Sequence, residues 1–237
     1  MAIHPDRIKG IIFDVDGTLF YHLPIRIIVI SALVINNIFA PVYLLRIIKI
    51  LRSYRKMQEI LRDNSGSHCA LPDTQLQMTV EASRELPGFV QQTVAEWMMK
   101  RPLPFLKYFL RSGLVNFLKM MEGRALKLGV YSDYPCTDKL EHMNIANFFS
   151  SVVSSCDPDV QKLKPDPKGF LVCSKELGLK PEEVLFVGDR ESVDAVGAER
   201  SGMQVVLVGG IFKKKSLSGK QSRYRSFNTL CEEVFGV

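Results

Sequence analysis

The sequence is poor in the residues that build disulfide frameworks and zinc sites. Its 237 residues include five cysteines, an odd number without a Cys-x-x-Cys pair, and four histidines that are scattered along the chain. This usage argues against a disulfide scaffold and against a zinc knuckle, and the histidines show no metal-ligand spacing. We therefore expect a reducing, cytoplasmic setting and a chemistry that requires neither a thiolate nor zinc.

Long hydrophobic runs are also few. The first, from Gly10 to Phe13, is short and is followed at once by two aspartates, so no secretory signal is expected there. A later stretch from Ile27 to Leu45 contains 19 residues without a charge, which is close to the roughly 20 that a membrane-spanning helix needs. Polar residues and Pro41 interrupt this stretch, so length alone does not make it a spanning helix.

Acidic residues are missing from two stretches. Residues 24–56 and 211–225 each contain six Lys or Arg side chains and no Asp or Glu. The remainder of the chain has 19 basic and 25 acidic residues, so it is net acidic although the formal charge of the whole chain is +6. Neither basic stretch contains a groove-reading or base-stacking module, so nucleic acid is not an expected partner. An apolar content of 46% excludes intrinsic disorder and fits one domain, or a core with a modest insertion.

Short apolar runs alternate with helical patterns along most of the chain. Such an order predicts an α/β fold with a doubly wound, Rossmann-like parallel sheet, in which ligands bind beyond the carboxyl ends of the strands. Helical patterns cover residues 113–122, 138–143, 167–177 and 192–201. The predicted strands are Gly10 to Phe13, Leu126 to Tyr131, Ser151 to Ser154, Val184 to Val187 and Gln204 to Val208.

Residues 21–111 interrupt this alternation. They contain helical patterns at about 25–40, 42–62, 74–85 and 87–100, and a loop-like composition at 63–72. We therefore predict a catalytic core formed by residues 1–20 and 112–237, with an inserted all-helical cap at 21–111. Near the end of the chain we expect a mobile surface loop at 213–225 and a last short helix at about 229–235.

Two carboxylates follow the first predicted strand. Asp14 and Asp16 are two residues apart, and Gly17 and Thr18 supply a turn and a hydroxyl. Alternate residues of an extended chain point to the same side, so both carboxylates can face one ligand, and a hard cation such as Mg²⁺ would offset their repulsion. Such a pair suits phosphoryl transfer, in which one carboxylate attacks phosphorus and the other handles protons. Taken alone, the pair could equally be an acidic turn or a strand cap.

Three further signals follow in order, each at or just after a predicted strand end. Ser132 ends the second strand and could hold a phosphoryl oxygen. Lys164 lies in a loop that prolines stiffen. Its positive charge is suited to neutralising a pentacoordinate phosphorus during phosphoryl transfer. Asp189 and Asp194, five residues apart, offer a second set of metal ligands.

In these motifs the sequence resembles the haloacid-dehalogenase-like (HAD) hydrolase superfamily, of the phosphoglycolate phosphatase-like type with a helical cap. The resemblance covers roughly residues 8–20 and 108–210. It implies that Asp14 is the nucleophile, that Asp16 is the general acid and base, and that Ser132 and Lys164 hold phosphate. Thr18 and Asp133 are the other candidate substrate-binding residues.

The resemblance also implies a Mg²⁺ site. Its ligands would be Asp14, the main-chain carbonyl of Asp16 and Asp189, with Asp194 either binding the metal or orienting its ligands. One position departs from the common pattern, since Asp133 stands where many members have Asn. Another point stays open, namely whether Glu191 or Asp194 lies closer to the metal.

Asp16 also distinguishes reaction classes within the family, because dehalogenases of this fold lack an aspartate there. Its presence indicates a phosphate ester, either a small phosphorylated metabolite or a lipid-linked phosphate. Phosphatase is the favoured activity, a phosphomutase is an alternative, and a membrane-associated binding protein that retains the fold without turnover is another. His22 could line the cap entrance, and Trp97 is expected in the cap interior. The oligomeric state is not predicted.

The apolar and basic part of the cap allows two interpretations. A single membrane crossing there is excluded, because Asp14 and Ser132 must share one site on one side of a bilayer. We expect instead two helices that are divided near Pro41, the second of them amphipathic. Its cations Arg46, Lys49, Arg52 and Lys56 could simply be solvated, or the surface could contact an anionic membrane peripherally, with residues 213–215 adding to it.

Overall fold

The computed structural model describes residues 3–63, 71–209 and 222–236. Within them, six parallel strands form one sheet in the order β3-β2-β1-β4-β5-β6. The strands are β1 (Gly10–Phe13), β2 (Lys127–Ser132), β3 (Ser151–Ser154), β4 (Val184–Gly188), β5 (Gln204–Val208) and β6 (Ser222–Tyr224). The predicted α/β class and the parallel sheet are therefore confirmed.

Strand β1 lies in the middle of this sheet and all four of its residues are buried. Phe13 is in register with Val130 of β2 on one side and with Val187 of β4 on the other. The chain builds one half of the sheet outward from β1 through β2 and β3, and then returns to β4 on the opposite side. The residues that follow β1 therefore lie at the switch point of the strand order, where open α/β sheets form their ligand-binding crevice.

All five predicted strands are present, but the sixth strand, β6, was not predicted. Residues 222–224 belong to it, so the prediction of a mobile loop as far as residue 225 is wrong for this part. Residues 213–221 of that stretch, including Lys213, Lys214 and Lys215, lie outside the described residues. Strand β6 has only three residues and pairs with β5 alone, so it shows no apolar run of the kind that identified the other strands.

In the described part of the chain, five α-helices accompany the strands, and the two faces of the sheet carry separate clusters of aromatic rings. On one face Phe117 lies edge-on to Phe13, with ring centroids 6.2 Å apart. On the other face Phe170 lies 4.8 Å from Phe186 and 4.9 Å from Tyr131. These clusters fix the strand ends that carry the polar motifs. The helices are α5 (Leu114–Gly123), α6 (Thr137–His142), α7 (Lys168–Glu176), α8 (Val196–Arg200) and α9 (Phe227–Leu230).

The segment between β1 and α5 is helical. A turn that contains the helix-ending Asn37 separates α1 from α2, and Pro41 is the first residue of α2, as predicted. Trp97 is buried and packs with Leu33 and Ile47, which agrees with its predicted place in the interior. Within the described residues, no helix combines the length and the apolar character that crossing a bilayer requires. The inserted helices are α1 (His22–Asn36), α2 (Pro41–Asp63), α3 (Leu71–Ser83) and α4 (Pro87–Val94), which continues as a π-helical segment (Ala95–Lys100).

The chain enters and leaves this helical insertion at adjacent points. Phe20 and Leu110 form an isolated antiparallel bridge, so the two connecting segments run side by side just beyond β1. The buried side chain of Arg111 crosses from the exit segment to the turn after β1, where its guanidinium donates to the main-chain oxygens of Gly17 and Thr18. The insertion is thus attached beside the first carboxylate motif.

Candidate active site

A buried lysine joins two of the predicted carboxylates. The Nζ atom of Lys164 lies 2.6 Å from Asp14 Oδ1 and 3.0 Å from Asp194 Oδ1. Asp14 is held at the end of β1 because its main-chain N–H continues the sheet pattern to Val187. All three charged side chains are almost fully buried, so their geometry is set by the surrounding fold.

The loop after β4 brings the predicted metal ligands Asp189 and Asp194 to the same place. Asp194 Oδ2 accepts hydrogen bonds from the main-chain N–H groups of Asp189 and Arg190, at 3.1 and 2.9 Å. Carboxylate oxygens of Asp14, Asp189 and Asp194 lie within 4.8 Å of one another. Asp194, rather than Glu191, therefore belongs to this three-carboxylate group.

Crowding of three carboxylates in a buried place changes their acidity. Burial, with the neighbouring Asp194 and Asp189, raises the pKa of Asp14 well above its usual range, although Lys164 opposes this. Burial and Asp194 raise the pKa of Asp189 to about 7. Burial would lower the pKa of Lys164, but the carboxylates of Asp14 and Asp194 outweigh it and the pKa is raised. One ammonium group therefore only partly balances the negative charge.

The donor set fits a hard divalent cation. Asp189 Oδ1 is buried and has no hydrogen-bond partner among the described residues, which is costly unless a ligand is present. Carboxylate oxygens are the ligands that Mg²⁺ takes in proteins, and its charge would offset their repulsion. Gly17, at φ +94°, leaves room for this arrangement, since a Cβ atom there would lie 2.3 Å from Asp189 Oδ2.

Asp16 faces a different neighbour from Asp14. Its Oδ2 accepts from Lys139 Nζ at 2.5 Å, and about a third of the side chain, 34%, is exposed. Burial alone would raise the pKa of Asp16, but Lys139 outweighs it and the pKa is lowered. The carboxylate of Asp16 is thus outside the three-carboxylate group, ionised and close to solvent. His22 is near enough for its charge to influence Asp16, and its place at a cap entrance stays a prediction.

Thr18 and Ser132 occupy positions that support this site. Thr18 is fully buried and its Oγ1 donates to Asp14 Oδ2 at 2.9 Å, so both oxygens of Asp14 are fixed by neighbours. Ser132 ends β2, with only 1% of its surface exposed, and its Oγ accepts from the main-chain N–H of Tyr134 at 3.3 Å. The structure brings both predicted residues to the same sheet edge as Asp14.

The carboxylate of Asp133 is already engaged by three donors. Its Oδ1 accepts from Ser155 Oγ at 3.2 Å and from the main-chain N–H of Lys164 at 3.1 Å, and its Oδ2 accepts from Arg62 Nη2 at 2.9 Å. Arg62 also donates to the main-chain oxygen of Lys164. Asp133 therefore connects the Lys164 loop to helix α2. Because its carboxylate is engaged, the group of Asp133 that could bind a phosphate is its main-chain N–H.

Four residues of the site were not predicted: Arg62, Arg111, Lys139 and Ser155. Lys139 lies on α6, the helix that follows Ser132, and the rule that helix N-termini after parallel strands face the ligand crevice could have indicated it. Arg62 had no such signal, because it belongs to the insertion and pairs with a partner 71 residues away. Tyr134 adds a second contact to the insertion, donating to Gln58 Oε1 at 2.7 Å.

Comparison with known sequences gives matches among phosphatases. The chain is 31% identical over 158 residues to glyceraldehyde 3-phosphate phosphatase of Methanopyrus kandleri, covering 65% of each chain. It is 35% identical over 127 residues to phosphoglycolate phosphatase of Salmonella typhi, covering 52% of this chain and 50% of the relative. The chain thus matches about half to two thirds of the length of these curated relatives.

Solved structures share the architecture at low sequence identity. The HAD-hydrolase YfnB of Bacillus subtilis, in a form bound to magnesium, has a TM-score of 0.66 at 15% identity, over 96% of this chain and 99% of that one. A 2-haloacid dehalogenase of Pseudomonas syringae pv. Tomato gives 0.63 at 20% identity, over 97% and 98%. At these identities the likeness establishes the fold alone.

The match to a family model is more extensive than any one of the sequence relatives above. The model of the haloacid dehalogenase-like hydrolases matches residues 8–202, which include every candidate site residue as well as the helical insertion. Together with the sheet order and the buried Asp14–Lys164–Asp194 group at its switch point, this match shows that the chain belongs to the haloacid dehalogenase-like hydrolase family.

Proposed function

We propose that this protein is a Mg²⁺-dependent phosphomonoester hydrolase in which Asp14 is the nucleophile. The observation that supports this most strongly is the position of the Asp14 carboxylate. It lies at the end of the central strand, between Lys164 and the carboxylates of Asp189 and Asp194. A carboxylate in that setting can attack an electrophile that is itself negatively charged, because Lys164 on one side, and a cation bound by the carboxylates on the other, would offset that charge.

The reaction has two balanced steps. In the first, Asp16 has taken up a proton from solvent; an oxygen of Asp14 forms a bond to phosphorus while the bond to the leaving-group oxygen breaks, and Asp16 gives that oxygen its proton. In the second, Asp16 takes a proton from water, the water oxygen attacks phosphorus, and the bond to Asp14 breaks to release phosphate. Asp16 suits both steps because it is near solvent and separate from the buried carboxylates.

Lys164, Ser132 and the main-chain N–H of Asp133 would hold the phosphoryl oxygens. Lys164 carries its charge at the Asp14 oxygen itself, 2.6 Å away, so it would stay next to the phosphorus throughout the displacement. Thr18 keeps the Asp14 carboxylate in one orientation through its 2.9 Å hydrogen bond. These residues position the reacting groups, and Asp133 fixes the loop that carries Lys164.

The Mg²⁺ ligands would be Asp14, the main-chain carbonyl of Asp16 and Asp189, with Asp194 binding the ion or orienting the others. When bound, the ion supplies Lewis-acid neutralisation of charge on the phosphoryl oxygens. Asp189 Oδ1 supports this assignment, because it is buried and has no hydrogen-bond partner in the part of the chain that the structure describes.

We also propose that residues 21–111 act as a cap on a core of residues 1–20 and 112–237. Arg62 and Gln58 of α2 already contact Asp133 and Tyr134 beside the site. The substrate would be a small phosphorylated metabolite or a lipid-linked phosphate. The phosphatase names of the curated relatives support the first class.

The leaving-group side of the site is rich in positive charge. Lys139 pairs with Asp16. Burial lowers the pKa of His22, and the nearby cations Arg26 and Arg55 lower it further. These cations favour a leaving group that is itself an anion, as a carboxylate-bearing phosphate ester would provide.

The nucleophile is tested with Asp14→Asn. We expect p-nitrophenyl phosphate hydrolysis to fall by roughly 10⁴-fold, since the amide cannot attack phosphorus. The matched control is Asp138→Asn on the exposed start of α6, which should keep full activity. Wild-type protein quenched in acid should carry phosphate that Asp14→Asn does not, and full activity in Asp14→Asn would refute the mechanism.

The same assay distinguishes the alternatives. A phosphomutase would hydrolyse its phospho-enzyme slowly and transfer the phosphoryl group to a sugar hydroxyl. A binding protein would show no turnover at all with Mg²⁺ and a panel of phosphate esters.

The metal site is tested without turnover by thermal unfolding. Mg²⁺ at about 100 times its dissociation constant should stabilise the wild type by about 2.7 kcal/mol. Asp189→Asn should lose most of this gain, and Asp157→Asn, a carboxylate elsewhere that accepts from Ser154, should keep it. Equal stabilisation of both variants would contradict the assignment.

A further inference from the structure

The turn between α1 and α2 exposes a group of large apolar side chains. Ile35, Ile38, Phe39, Val42 and Leu45 are between 62% and 98% exposed, with Phe39 at the upper limit. We call these five residues the apolar tip. Single exposed apolar residues are ordinary on a soluble protein, but neighbours clustered at one end of a helix pair mark an interaction surface.

The apolar tip continues along α1 and has little counterpart elsewhere. Ile27 and Ile30 are more than half exposed at helical spacing, so one side of α1 is uncovered along its length. Outside residues 21–45, the described chain exposes only three large apolar side chains, Leu86, Tyr108 and Leu171. Exposure of this kind is therefore a property of one region.

Helix α2 adds positive charge next to the apolar tip. Val42, Leu45, Lys49, Arg52 and Lys56 recur at steps of three and four, so they share one side of the helix. The three cations are exposed and form no ion pair with the described part of the chain. Acidic residues are absent from positions 24–56. The next acid along α2, Glu59, pairs with Arg62 and Arg190, and Glu85, which lies near Lys49, pairs with Arg46.

The distance between the apolar and the charged residues matches the layers of a membrane surface. With a rise of 1.5 Å per residue, Lys49 lies about 10 Å along the helix from Val42. Interfacial helices bury their apolar residues about 5–10 Å into the boundary between headgroups and acyl chains. We propose that the apolar tip docks on the surface of an anionic lipid bilayer, with Lys49 at the level of the headgroup phosphates. Arg52 and Lys56, about 15 and 21 Å along the helix from Val42, would lie above that level, within the range over which an anionic surface attracts cations.

A second copy of this chain fits the same surface less well. A symmetric dimer through the apolar tip would place like surfaces against each other. Lys49, Arg52 and Lys56 of both copies would then lie close together, and neither copy has an acid within 24–56 to pair with them. An anionic bilayer complements both the apolar and the cationic residues.

Co-sedimentation with vesicles tests the apolar part. The vesicles contain phosphatidylcholine and phosphatidylserine in a seven-to-three ratio, in 50 mM salt. We expect the wild type to pellet with them and the double variant Phe39→Ser/Val42→Ser to bind about tenfold more weakly. The matched control is Tyr108→Ser, which removes another exposed aromatic ring, 70% accessible, and should bind as the wild type does.

Charge variants test the electrostatic part. Lys49→Glu/Arg52→Glu should weaken binding about tenfold or more, whereas Lys119→Glu/Lys175→Glu, on exposed positions of α5 and α7, should change it much less. Binding should fall when salt is raised to 500 mM and should be weak on vesicles of phosphatidylcholine alone. Hydrolysis of p-nitrophenyl phosphate by every variant checks folding and separates this proposal from the proposed activity.

Three results would overturn the proposal. The first is a wild type that does not pellet at low salt. The second is binding that survives in both tip and charge variants, which would assign it to another part of the chain, such as the basic sequence at 213–220. The third is a dimer by light scattering that becomes a monomer in Phe39→Ser/Val42→Ser, which would make a second copy the occupant.

Discussion

We call the edge of the sheet that holds Asp14, Lys164 and Asp194 the catalytic edge. Its charged residues and those beside the apolar tip lie in opposite surroundings. At the edge, Lys164 is buried between two carboxylates at 2.6 and 3.0 Å. Beside the tip, Lys49 and Arg52 are exposed and form no ion pair among the described residues. The geometry of buried, paired charges changes little with salt. Exposed cations attract anions that come within about a Debye length, and salt screens this attraction.

The two regions also differ in their apolar residues. Phe13, beneath the edge, has no exposed surface, while Phe39 at the tip is 98% exposed. Burial in the first region stabilises the protein and positions the carboxylates, whereas the second region gains nothing from its apolar surface until a partner covers it. The contrast is between a buried candidate site and an exposed apolar surface that is separate from it.

The largest expected effect comes from removing the buried cation. Lys164→Met leaves Asp14 and Asp194 without their shared ammonium group. We expect activity to fall about 10³-fold and the free energy of unfolding at neutral pH to fall by about 3 kcal/mol. Steady-state kinetics and urea unfolding measure both.

The control for that change is Lys168→Met, an exposed lysine four residues along the same segment. It should alter neither quantity by a measurable amount. If Lys164→Met were as active and as stable as this control, the buried charges would not be the organising feature of the edge.

Next in size is the ion pair that connects the catalytic edge to helix α2, whose other end belongs to the apolar tip. Arg62→Met removes the partner of Asp133, and both side chains are largely buried. A loss of about 2 kcal/mol in stability is expected, together with a KM about tenfold higher, because the Lys164 loop loses its contact with α2. Arg52→Met, ten residues earlier on the same helix and exposed, should leave both values unchanged in solution.

A pH profile examines the ion pair of Lys139 and Asp16. Lys139 holds the pKa of Asp16 below its usual range against the effect of burial, so Lys139→Met should raise that pKa. Because the proposed second step needs ionised Asp16, the acidic limb of the kcat profile should move to higher pH. Lys139→Arg should retain the wild-type limb, and an unmoved limb in Lys139→Met would separate Asp16 from proton transfer.

The smallest effect is expected at the tip. Phe39→Ser should change the free energy of unfolding by less than about 0.5 kcal/mol, since the ring contacts little. Phe20→Ser, at 2% exposure, should cost about 4 kcal/mol. Thermal or urea unfolding of the two variants would sharpen the comparison, and a large loss at Phe39 would mean that the tip is packed in solution.

The sequence carried most of the information about the catalytic edge. A parallel sheet aligns its strand ends, so knowing that Asp14, Ser132 and Asp189 follow predicted strands was enough to predict that they meet. The same argument could not predict that Arg62 belongs to the site, because the approach of α2 to Asp133 depends on how the insertion folds over the core. Strand β6 was missed for a related reason, since an edge strand of three residues is defined by its partner rather than by its own pattern.

Composition, in contrast, indicated the second region only in outline. The absence of acids from residues 24–56 was visible at once, and so was the division near Pro41. Which apolar residues face inward was not, because α1 is apolar on nearly every side and its period does not distinguish Leu33, which is buried, from Ile35, which is exposed.

The bridge between Phe20 and Leu110 has a consequence for how such a protein can change over time. Because the chain leaves and rejoins the core at neighbouring points, the intervening helices could be lengthened, shortened or exchanged for others without shifting the register of any strand. Selection could therefore alter what this molecule recognises and where it resides by replacing one contiguous stretch of gene, while the residues that would carry out the chemistry stay as they are.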